Sequence, residues 1–266
     1  KAVARSKTSV HDIVEALLPL SGFLLYGFFV IFSKLFGLQI TATIPLFGYE
    51  LGVVEFASVL LIIVSTIIVL FNLTKSKEKS NEFQKVLLAH SFTWIGVQTM
   101  FIYAFFYLTE DLGLGDEAGK INSIAFFILS LVSAVLPVLV LNGFAKKIGM
   151  VKTHLICVFI MALGYAGVLF FGTSVIMYYI MIAIAGIGWA SVVSLPFAIM
   201  SEKVDQTKMG LYMGIFNLSV VLPQLVASFK MGEVVNAASD KSVVFLICAV
   251  TLAISGVLWL FVKNDK

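Results

Sequence analysis

Apolar residues fill this chain in long blocks rather than in alternation. Runs of about 20 mostly apolar residues, the length that crosses a bilayer, recur at roughly residues 13–36, 52–73, 86–108, 121–144, 153–172, 175–200, 209–229 and 242–262. The pattern predicts an all-α, polytopic membrane bundle of about eight transmembrane helices. Basic residues gather in every second gap. Lys1, Arg5 and Lys7 precede the first run, and Lys75, Lys77, Lys79 and Lys85 follow the second. Lys146, Lys147 and Lys152 follow the fourth, Lys203 and Lys208 the sixth, and Lys263 and Lys266 the eighth. Residues 37–51 hold no Lys or Arg, and residues 109–119 carry Glu110, Asp111, Asp116 and Glu117 instead. Lys230 and Lys241 interrupt the alternation only mildly. Because basic loops stay on the cytoplasmic side, the expected topology is a multi-pass protein of the cell membrane with both ends of this chain cytoplasmic. Removing one helix would scramble the alternation, so the loops support the helix count.

Composition narrows the class further. The chain of 266 residues is 60% hydrophobic with a mean hydropathy of +1.05, and only 12% of its residues are charged, about half the share in a soluble domain. A soluble fold could not cover that much apolar surface. The net charge of +3 is small, and without a basic patch interleaved with aromatics no nucleic-acid partner is expected. Cys157 and Cys248 each sit in an apolar run and read as small buried hydrophobes. The sequence shows no metal-ligand cluster, nucleophile elbow, paired intramembrane carboxylates or Walker loop, so neither an enzyme nor a metal or other cofactor is expected. The chain begins at Lys1 and carries no basic–apolar–cleavage pattern of a signal peptide, and a segment preceding it is expected.

Polar residues inside the apolar runs are the candidate chemistry, because such groups are costly in hydrocarbon and usually face a bundle interior or a water-filled cavity. Asn217 and Gln224 lie seven apart in the run 209–229, on roughly one helical face, with Pro223 beside the second. Gly210 and Gly214 are spaced for close approach of another helix. In the run 86–108, Trp94 and Gln98 share a face, with Tyr103 further on. An aromatic ring beside an amide suits a sugar, whose C–H faces the ring covers and whose hydroxyls the amide bonds in both directions. The competing readings are an interfacial anchor for Trp94 and interhelical hydrogen bonds for the amides. His90 and His154 lie near helix ends and read as solvated. Asn122 and Ser123 either cap their helix or touch substrate. Pro137 predicts a kink, with Ser133 able to bond the freed backbone. Gly186, Gly188, Ser191, Ser194 and Pro196 make 175–200 a closely packed or bending helix. No Asp or Glu lies deep in the last six runs, so a proton-carrying acid is expected in helices outside this chain.

The stretch from Gly210 to Asn217 followed by Pro223 and Gln224 resembles the eleventh helix of sugar–cation symporters of the major facilitator superfamily, sucrose/maltose (glycoside–pentoside–hexuronide-like) branch. The stretch from Gly186 to Ser191 and on to Pro196 resembles that branch's tenth helix, and the likeness spans mainly residues 86–229. In the loop after the fourth run, Ala145, Lys147 and Gly149 match the weaker copy of the superfamily's cytoplasmic loop motif. Asn142 and Lys146 depart from it, the latter replacing an acidic latch residue. The resemblance implies a carrier lacking its first four helices here. Residues 1–74 would be the last two helices of the N-terminal bundle, 75–85 a cytoplasmic linker and 86–266 the C-terminal six-helix bundle. It also implies a disaccharide-like sugar substrate, a proton (or sodium) as coupling ion, and substrate contacts from Asn217, Gln98, Gln224, Trp94 and Trp189. A non-transporting membrane sensor or scaffold on the same fold is the alternative.

Overall fold

The computed structural model describes residues 9–46 and 49–264. The basic residues Lys1, Arg5, Lys7 and Lys266 therefore lie outside the described residues. Helix α1 (Val10–Leu17) opens on a reciprocal cap, in which Ser9 Oγ accepts the Asp12 N–H at 3.1 Å and the Asp12 carboxylate accepts the Ser9 N–H at 3.3 Å. A turn through Pro19 leads into α2 (Ser21–Phe36), which ends at Gly37 with φ +65°. The basic-free gap then holds a short antiparallel hairpin, β1 (Thr43–Leu46) and β2 (Tyr49–Gly52), with Thr43 opposite Gly52 and Ile44 opposite Leu51. The hydropathy pattern treats this gap as a loop; four-residue strands are too short to register in it.

Helix α3 (Val53–Leu70) follows. Helix α4 runs Glu78–Phe106. Residues 78–85, read from the sequence as linker, are thus the opening two turns of α4, and Asn81, Glu82, Phe83 and Gln84 are buried there. Asn81 Nδ2 donates to Val69 O at 2.8 Å and Gln84 Nε2 to Glu15 O at 2.6 Å, while Gln84 Oε1 has no partner among the described residues. Next come α5 (Ala118–Leu136), α6 (Asn142–Ile148), α7 (Met150–Phe171), α8 (Val175–Lys203), α9 (Met209–Val226), α10 (Gly232–Ala237) and α11 (Val243–Trp259). Among the described residues, seven helical runs are long and apolar enough to cross a membrane, and α11, at 17 residues, is an eighth, shorter apolar helix. The all-α polytopic bundle stands.

Pro137 and Pro223 sit at or just before a change of helix winding, whereas Pro196 lies inside α8 without one. Pro137 starts a π-type turn (Pro137–Leu141) joining α5 to α6, and a second such turn (Ala227–Met231) follows Pro223. Ser133 does not serve the carbonyl freed by Pro137; its hydroxyl donates to Ser130 O at 2.9 Å. The most deeply embedded helix is α4, enclosed by α8, α9 and α11, while α3 buries few of its residues. One core joins α4, α5, α7, α8 and α11 around Met100, Tyr165, Tyr178 and Phe245. A second, around Leu20, Phe83, Phe216 and Trp259, ties the first helices to α4, α9 and α11. Gly188 lets the α8 backbone meet Met161 and Cys157 O of α7, the close packing its composition predicts. Large apolar side chains such as Val138, Leu139, Leu163 and Phe170 stand exposed on the rim, the inverse of a soluble protein and what lipid tails require.

Candidate functional site

Three helices bring four of the five residues singled out for substrate onto one wall. Trp94 and Gln98 stand one turn apart on α4, Trp189 on α8 and Gln224 on α9. The Gln224 amide donates to Gln98 Oε1 at 3.1 Å, and the indoles of Trp94 and Trp189 meet edge to face with centroids 6.0 Å apart. Phe101 packs on Trp189 at 5.4 Å and on Phe126 of α5 at 5.3 Å. All six side chains are half-buried, so the wall is packed from behind and open in front. One Gln–Gln bond leaves the Gln98 NH2 and the Gln224 carbonyl oxygen for an outside group, a donor and an acceptor beside aromatic edges.

Asn217 is not part of that contact. It is exposed on α9, two turns before Gln224, in a stripe with Gly210, Gly214 and Val221, and bonds to none of the other four. No atom lies within 4 Å of where a side chain would begin on Gly210 or Gly214, so the expected close helix contact is absent among the described residues. The other expected contacts resolve as packing. Tyr103 OH donates to Ala227 O and Ser228 O at 3.2 and 3.0 Å, holding the π-type turn after α9. Asn122 accepts from Tyr178 OH at 3.4 Å and Ser123 donates to Gly119 O at 2.8 Å, so neither caps its helix.

Two readings are corrected. His90 and His154 are not solvated helix-end residues: they are 2% and 0% exposed. Depth along a helix says nothing about which neighbours cover the side chain radially, and here α4 and α7 are covered on these faces. His90 Nε2 accepts the Trp94 indole N–H at 2.8 Å and its ring stacks on Phe216 of α9 at 4.8 Å. His154 Nδ1 pairs with Ser191 Oγ at 2.6 Å. Sequence reasoning also missed Phe101, although it lies seven residues after Trp94 and so on its face. Phe216 carried no signal, since it sits among apolar neighbours.

The loop motif lies apart from the wall. Ala145 and Lys147 ride on α6, and Gly149, at φ +91°, turns the chain into α7. A side chain on Gly149 would overlap Asn264, whose amide donates to Ile148 O at 2.9 Å. Lys146 and Lys147 are exposed. A crevice of about 740 Å³ lies elsewhere, at the lysine-rich end near Asp12, Glu15, Lys75, Lys79 and Lys208. Among the described residues no cluster of His, Cys, Asp or Glu could hold a metal ion.

A family model described as Major Facilitator Superfamily matches residues 73–228, close to the region of sequence likeness. No curated protein matches. Among solved structures the chain is similar to the POT family transporter PepTSo, in its in meso crystal structure, with a TM-score of 0.56 and 18% identity. That likeness covers 67% of this chain and 36% of the transporter, and it speaks to the fold alone.

Proposed function

The chain belongs to the Major Facilitator Superfamily, and on that premise we propose that it forms part of a secondary active transporter that carries a disaccharide-like sugar together with a proton, by rocking of two helical halves about a midplane site. On this reading α1 to α3 belong to one half and α4 to α11 to the other, and the lysine-rich end is cytoplasmic. The observation that carries the sugar assignment is the Gln98–Gln224 amide pair beside the Trp94, Trp189 and Phe101 rings. Uncharged amides with free donor and acceptor atoms match hydroxyls, and ring edges and faces match the apolar side of a pyranose. No charged side chain stands on this wall to attract an ionic substrate. Asn217, on the open stripe of the same helix, would extend the polar track along α9.

The test is uptake of labelled sucrose and maltose into proteoliposomes holding the intact protein, with and without an imposed pH gradient. Gradient-stimulated uptake is expected. Replacing Gln98 or Asn217 by Ala is expected to lower uptake about tenfold, the size of one lost hydrogen bond to substrate, with membrane expression near wild type. Unchanged uptake in a variant would remove that residue from the site. Binding of sugar without movement by folded protein would favour the sensor reading.

A further inference from the structure

We propose that His90 is the proton-binding group of this carrier and that the Trp94 indole couples it to the sugar wall. The bond from Trp94 Nε1–H to His90 Nε2 at 2.8 Å makes Nε2 an acceptor, so in the neutral imidazole the hydrogen sits on Nδ1. His90 Nδ1 is buried and has no hydrogen-bond partner among the described residues. A buried, unmatched ring nitrogen is costly, and stacking on Phe216 alone does not call for an imidazole there.

The geometry dictates what a proton would do. It must add to Nε2, because Nδ1 already carries the hydrogen and the Nε2 lone pair is engaged only by the indole N–H. Once Nε2 carries hydrogen, it faces the indole N–H donor-to-donor, and the bond to Trp94 breaks. The indole then has to turn, and its neighbours on that side are Trp189, 6.0 Å away, and Gln98, one turn along α4. The new charge lies against the face of Phe216, stacked nearly parallel at 13°, where a ring quadrupole stabilises a cation. Proton release restores the indole bond. Binding linkage is reciprocal, so a sugar that holds Trp94 in one orientation changes the proton affinity of His90.

Among the described residues, the groups facing His90 include no competing carboxylate. From α9 the facing groups are Phe216 and, lower down, Tyr212 on Phe83. From α8 it is Trp189 behind Trp94. From α7 it is His154, bonded to Ser191 and T-packed on Trp259 of α11 at 4.5 Å. Ser255 of α11 is used by Ala89 O and Thr93, and Cys248 by Gly96 O. From α2 it is Phe23, on Phe92. The nearest charges along α4, Glu82 and Lys85, pair with each other at 2.6 Å. His154 is the other buried imidazole, with Nε2 also unpartnered, but it has no bond to the wall.

Two measurements test this, and the first needs no substrate. Tryptophan emission of the intact protein is followed from about pH 8 to pH 4, the range in which an imidazole titrates. A transition present in wild type, lost in His90→Gln and in Trp94→Phe, and retained in His154→Gln is expected. Absence of a transition in wild type, or its survival in His90→Gln, overturns the proposal. The second measurement, which rests on the proposed sugar transport, compares gradient-driven uptake with counterflow. In His90→Gln their ratio is expected to fall to that of vesicles without a gradient; an unchanged ratio overturns the assignment. If wild type moves no sugar while the emission transition behaves as expected, the substrate reading fails and the proton site stands.

Discussion

Single residues in this chain act through what covers them. Lys230 and Lys241 look like exceptions to the lysine alternation, yet each is neutralised locally. Lys230 pairs with Glu233 at 2.6 Å and Glu55 at 3.4 Å, and Lys241 with Glu110 at 3.5 Å. Gly149 resists replacement on two counts. Its φ of +91° is strained for any residue with a side chain, and Asn264 occupies the space one would need. Gly149→Ala is expected to cost about 1–3 kcal/mol, read as a lower unfolding midpoint in detergent, with Asn264→Ala costing less. A midpoint unchanged by Gly149→Ala would mean that the turn relaxes freely. The same dependence on cover explains the histidines: an imidazole near the end of a run is solvated only if no other helix closes over it.

At the scale of elements, α9 divides cleanly. Ile215, Phe216, Ser219, Leu222 and Pro223 are buried, while Gly210, Gly214, Asn217 and Val221 form the open stripe. Ion pairs tie both its ends to the opening helices, Lys208 to Asp12 at 2.7 Å and Lys230 to Glu55 at 3.4 Å. Such pairs contribute little to global stability, so Lys208→Ala is expected to raise hydrogen exchange in α1 without moving the unfolding midpoint. A lowered midpoint would make the pair a structural clamp. Just ahead of α9, Asp205 accepts from the Thr207 N–H and hydroxyl, both at 2.9 Å, and these bonds hold its carboxyl below the usual range. A carboxyl depressed in the folded state stabilises at pH above its unfolded value and loses that contribution as pH falls through the folded one. Asp205→Ala should therefore flatten the acid limb of stability against pH; an identical limb would dismiss the turn as a contributor.

For the whole molecule, the proposed orientation has a direct check. Cys157 and Cys248 are buried, so native thiols stay silent to an impermeant reagent. In oriented vesicles, Lys77→Cys should react from the cytoplasmic side and Asp116→Cys from the outer side. The reverse pattern would invert the topology and with it the direction of transport. The exposed aliphatic rim and the interior cores describe a bundle suited to lipid, and the aromatic–amide wall is the part of its surface that lipid tails would serve poorly.

The hydropathy blocks were enough to determine the membrane setting and the fold class, because these follow from the bilayer's thickness, which acts locally along the chain. The periodicity of α4 likewise put Trp94 and Gln98 on one face. Which faces meet was decided only by the tertiary structure. Contact between Gln98 and Gln224, 126 positions apart, the stacking of Phe216 on His90, and the separation of Asn217 from the wall all depend on how α4, α8 and α9 rotate against one another. In a chain this apolar every helix face is greasy, so hydrophobic pattern carries almost no information about rotation, and packing alone assigns each polar group its neighbour.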